Sequence, residues 1–147
     1  SAFDPLRKVG QLAKEMRMSQ STLIQRISFA WRTLRVLTLL DRGVHEKALC
    51  FIERSGPPTV YPLQQTALRV RVLMLCRKLD LARETSLAAT QMEKLDLAMQ
   101  DERAALFYLH YVGAVLAGDI VAIEVCKSEA IRLAERPATL SIFGFKQ

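Results

Sequence analysis

The chain has 147 residues, half of them hydrophobic and about a quarter charged, with 21 Lys and Arg against 15 Asp and Glu. That length suits one domain with a real core, and the composition excludes a disordered chain. No apolar run reaches the roughly 18 residues that a membrane span needs. The formal charge of +6 is lopsided: residues 1–36 hold seven cations against Asp4 and Glu15, and the rest hold fourteen against thirteen. Such a basic first third suggests an acidic partner, whether a protein, a nucleic acid or an anionic surface. The opening SAFDPLRKV lacks the basic-then-apolar layout of a signal peptide.

In chain order, FDPLRKVGQLAKEM starts a helix, with Asp4 able to cap it and Pro5 suited to its first position. Leu6, Val9, Leu12, Ala13 and Met16 fall on one face, and Gly10 weakens the helix by about 1 kcal/mol relative to Ala. The Ser-rich stretch MSQS then reads as a break. Ser19 or Ser21 caps a second helix whose Leu23, Ile27, Ala30, Trp31, Leu34, Leu37 and Leu40 line one side. Gly43 can take the left-handed conformation that ends it. VHEKALCFIERS is a short helix stopped by Gly56-Pro57-Pro58.

After Pro62, LQQTALRVRVLMLCRKL runs to about Lys78, and DLARETSLAATQMEKL returns antiparallel to it. AMQDERAALFYLHYVGAVLAGD leads into IVAIEVCKSEAIRLAER, which Pro137 ends. The tail ATLSIFGFKQ reads as apolar and irregular, packing back on the body or capping an open end. The spacing therefore predicts an all-α fold of stacked antiparallel helical hairpins, with a basic helix pair over 1–28, three hairpins over 29–136 and a tail over 137–147.

Three corners share a layout. Gly43 is followed five residues later by Ala48. Arg77 is followed at the same distance by Ala82, with Ala89 seven further on. Gly118 is followed by Ile123, with Ala130 seven beyond that. The corners lie 34 and then 41 residues apart. A small residue lets the chain reverse, small residues beyond it let paired helices approach, and stacking buries faces that one hairpin leaves wet. This pattern resembles a degenerate tetratricopeptide-repeat array, whose period is about 34 residues. Ile123 stands where that family has Ala, Arg77 where it has Gly, and its aromatic signature positions are mostly absent.

The resemblance implies a groove formed by the first helix of each hairpin, receiving an extended or helical peptide. On those helices, Arg32, Arg35, Arg69, Arg103 and Tyr108 are the partner-binding candidates, and they suit an acidic or amphipathic protein segment. Arg69 and Arg71, two apart on one helix, cannot both point into the groove, so Arg69 and Arg35 are the preferred pair. The chain also looks loosely like the small helical-repeat chaperones that hold secretion substrates in the bacterial cytosol. A chaperone or adaptor is the function this implies, acting in the cytoplasm, with an oligomer compatible with the pattern.

LAKEMRMSQSTLIQRI, residues 12–27, resembles the helix-turn-helix of bacterial regulators and carries the alternative reading, a DNA-binding regulator. Arg17, Gln20, Ser21, Thr22, Gln25 and Arg26 would then meet the groove of DNA, Arg reaching guanine and Gln adenine. Arg17 departs from the Gly that such a turn prefers.

No nucleophile elbow, P-loop or dinucleotide-binding glycine pattern occurs, so no enzyme and no cofactor is expected. His45 and His110 lack the clustered ligands of a metal site, so none is expected. Cys50, Cys76 and Cys126 have no CxxC spacing and read as small core residues in a reducing compartment.

Overall fold

The computed structural model describes residues 5–56, 60–92 and 97–145, apart from the side chains of Met18 and Ser19. The expected capping by Asp4 and the stop at Pro57-Pro58 lie outside those residues, and the helix expected to continue through QMEKL ends instead at Thr90. Seven helices occur in the described chain: α1 (Pro5–Asp41), α2 (His45–Arg54), α3 (Pro62–Leu75), α4 (Leu79–Thr90), α5 (Gln100–Ala117), α6 (Ile120–Leu133) and α7 (Pro137–Phe143). No strand is present among the described residues. The fold is all-α, a stack of antiparallel hairpins α1/α2, α3/α4 and α5/α6. The second hairpin packs on the third through α3 and α4 against α5, and on the first through α2 against α3.

The three corners are built alike. Gly43 (φ 74°), Arg77 (φ 62°) and Gly118 (φ 71°) are all left-handed. In each, the amide of the left-handed residue donates back to the carbonyl three residues earlier. The next amide donates five back: Val44 to Leu39 at 3.1 Å, Lys78 to Leu73 at 2.9 Å and Asp119 to Ala114 at 3.0 Å. This double bond pattern satisfies carbonyls that a helix end would otherwise leave bare. Beyond the corners, Ala48, Ala82, Ala89 and Ala130 are buried where helices meet, as the spacing predicts, and Ile123 is half-buried.

Two predicted boundaries are corrected. Residues 1–28 do not form a helix pair: α1 runs unbroken from Pro5 through the MSQS stretch to Asp41. Its apolar 3-4 spacing continues across that stretch and outweighs the capping tendency of the serines. The tail is not irregular either. Pro137 starts α7 instead of merely ending α6, because its ring suits a first helical position. Gly144 (φ 75°) ends α7 with the same bond pattern as the three corners.

α7 packs across α1, α3 and α5, the first helices of the three hairpins. Leu140, Ile142 and Phe143 are buried there. The groove that the hairpins form is thus filled along this stretch by the chain's own last helix.

Candidate partner-binding cleft

A cleft of about 610 Å³ opens between the first two hairpins. α1 contributes Phe29, Arg32, Thr33 and Val36, α2 contributes Phe51, Ile52 and Glu53, and α3 contributes Leu68 and Arg69. It forms because α2, not α1, makes the main contact with α3, so a wedge stays open beside α1. Its floor is apolar, with Val36 and Leu68 buried, and its rim is cationic.

Of the two rim arginines, Arg69 is held loosely. Arg69 Nη2 lies 3.8 Å from Glu53 Oε1, with both side chains substantially exposed, a geometry of little energetic weight. Arg69 Nε is shielded from solvent and has no hydrogen-bond partner. An unsatisfied donor of this kind favours a new acceptor, so a small swing of the guanidinium toward a ligand carboxylate gains more than it loses.

The sequence-predicted residues separate. Arg32 and Arg69 share the cleft. Arg35 is exposed on α1 and does not line it, so the preferred pairing of Arg69 with Arg35 gives way to Arg69 with Arg32. Arg103 is exposed on α5, outside the cleft and near Glu129 of α6. Tyr108 is not open to a partner. It is buried and stacks on Phe143 of α7 at 4.8 Å between ring centroids, with the planes 7° apart. Burial pushes its phenol well above the ordinary tyrosine value, against a lowering influence of Arg71. Arg71 points to α7, where its Nη1 donates to the Ser141 carbonyl at 2.6 Å. Burial pulls that guanidinium below its ordinary value, while Tyr108 and Asp41 oppose the shift.

The nucleic-acid candidates lose their geometry. Arg17, Gln20, Ser21, Thr22, Gln25 and Arg26 all lie on the continuous helix α1, with no turn to set one helix across another. Arg17 Nε donates to the Ala13 carbonyl of its own helix at 3.4 Å. The cysteines also depart from expectation: Cys50 is exposed, and Cys76 and Cys126 are half-buried. Burial raises both of the latter thiols, aided at Cys76 by Glu46 and at Cys126 by Asp119.

Sequence reasoning missed one cluster. Asp101 and Glu102, both buried, lie in the first turn of α5. Glu102 accepts from the backbone amides of Leu63 at 3.1 Å and Gln64 at 2.9 Å, capping α3 from another helix. Asp101 accepts from the Glu135 amide at 2.8 Å and from Arg136 Nε at 2.9 Å, and Arg136 also donates to Gln64 Oε1 at 3.0 Å. Acids in a first turn suit the helix dipole anyway, so nothing in their local pattern signals this longer reach. No group of His, Cys, Asp and Glu able to hold a metal occurs among the described residues.

No family model, curated protein or solved structure matches this chain. No helix among the described residues is long and apolar enough to cross a membrane.

Proposed function

We propose that this protein is a tetratricopeptide-like interaction module, an adaptor or small chaperone. It takes a partner segment bearing an apolar anchor and a carboxylate into the cleft between its first two hairpins. The observation that carries this reading is the pairing of Arg32 with Arg69 on the rim of an apolar floor, with the Arg69 Nε donor unsatisfied. The anchor would cover Val36 and Leu68, and the carboxylate would engage the guanidiniums, which offer forked donors to it. The groove of first helices does not serve, because α7 fills it.

The test uses two fluorescent amphipathic peptides with the same Leu and Phe anchors, one flanked by Glu and the other by Lys. The protein should prefer the Glu peptide, and Arg32→Glu with Arg69→Glu should reverse that preference and flatten its salt dependence. Equal binding of both peptides, or a preference untouched by the double reversal, would remove the cleft from function.

A further inference from the structure

α1 carries two faces. Near its C-terminus Phe29, Thr33 and Val36 are buried against the body, while Trp31 at 68 % exposure and Leu34 at 59 % point the other way. From Pro5 to Ser28 no described side chain is buried. The outward face is nevertheless apolar: Met16, Leu23, Ile24 and Ile27 are 57–66 % exposed. A soluble helix that shows this much apolar surface is covered by something.

The spacing identifies the kind of cover. Positions 9, 13, 16, 20, 23, 27, 30 and 34 alternate steps of four and three, the seam of a two-stranded coiled coil. Seven of these eight are apolar and the eighth is Gln20. The seam is about 40 Å long at ~1.5 Å per residue. It and its flanks expose on the order of 1,000 Å² of apolar side chain, against the roughly 800 Å² per partner of a stable interface.

We propose that the seam pairs with the same seam of a second copy, in parallel and in register. Three observations favour this occupant. Most of the helix's cations, namely Arg7, Lys8, Lys14, Arg32 and Arg35, sit off the seam, so two basic helices pair without setting these charges against each other. The two cations that flank the seam also avoid each other in this register. Arg26 falls beside Trp31 of the second copy, a cation over an aromatic face, and Arg17 falls beside Leu12. The third is Gln20: only in-register parallel pairing sets it against itself, so that the two amides bond across the seam, whereas antiparallel pairing would face it with an apolar residue. The bodies attach through Phe29, Thr33 and Val36, off the seam and only from Phe29 onward, so the seam from Val9 to Ile27 is open. This surface is separate from the cleft, and either reading stands without the other.

Sedimentation velocity of the full chain at tens of micromolar, in physiological salt, tests the proposal. The expected species has twice the 16.6 kDa chain mass, and Leu23→Glu with Ile27→Glu should convert it to a monomer that keeps its body helices by circular dichroism. With the three cysteines replaced by Ser, Val9→Cys should crosslink copies upon oxidation, since only parallel pairing brings position 9 to its own counterpart. A monomeric wild type would overturn the proposal. So would a dimer that survives the double Glu variant, a Val9→Cys protein that does not crosslink, or a monomer that instead floats with phosphatidylserine vesicles.

Discussion

Tyr108 shows how far residue type alone can mislead about exposure. An aromatic on a first helix, near several arginines, suggests a binding surface. In the fold the ring is sandwiched into the α5–α7 contact, on Phe143 and near Phe145 at 5.9 Å. The same burial has a consequence for pH. The folded state raises the phenol above its ordinary 10.0 because burial disfavours the charged form. A raised pKa stabilises the fold below the unfolded value, and that contribution is lost as pH climbs past about 10, where the unfolded chain ionises first. Tyr108→Phe keeps the stack and removes the ionisation. Urea midpoints at pH 8 and pH 11 should therefore fall further in the wild type than in the variant, and equal falls would place the phenol in contact with water.

At the scale of elements, the corners were legible and the ends were not. The corners announce themselves because a left-handed residue and a close helix crossing each impose a residue size, and both recur at fixed offsets. Arg77 is the informative exception: its position predicted a turn although its type did not, and the backbone there is left-handed at φ 62°. A side chain in that conformation costs roughly 1 kcal/mol relative to Gly. Arg77→Gly should thus raise stability by about that amount and the melting temperature by roughly 2–4 °C, with no change in helix content. A lowered melting temperature would mean that the Arg77 side chain contributes more than its backbone costs. The ends misled for opposite reasons. In α1 the serines looked like a cap, but the 3-4 register runs through them from Val9 to Leu34 with Gln20 as its single polar position. In α7, seven residues are too few for a periodic signal, and helix formation there depends on packing that only the assembled body supplies.

At the scale of the whole molecule, the hairpins are joined by polar bonds that no local pattern encodes. Asp101 and Glu102 are adjacent in sequence yet reach in different directions, one to the α6–α7 junction and one to the start of α3. Position 102 therefore fixes where the second hairpin begins relative to the third. Glu102→Ala would leave the Leu63 and Gln64 amides buried without acceptors, at the end of a helix whose first position is Pro62. Losing charged acceptors from buried amides costs about 2–4 kcal/mol, which lowers the melting temperature by roughly 5–15 °C in a chain of this size. Glu102→Gln keeps one acceptor oxygen and should lose less than half as much. The order Glu, then Gln, then Ala in urea midpoint would establish that the carboxylate acts as a cap. A Gln variant as damaged as the Ala variant would show instead that the negative charge itself, facing the positive end of the α3 dipole, holds the two hairpins together.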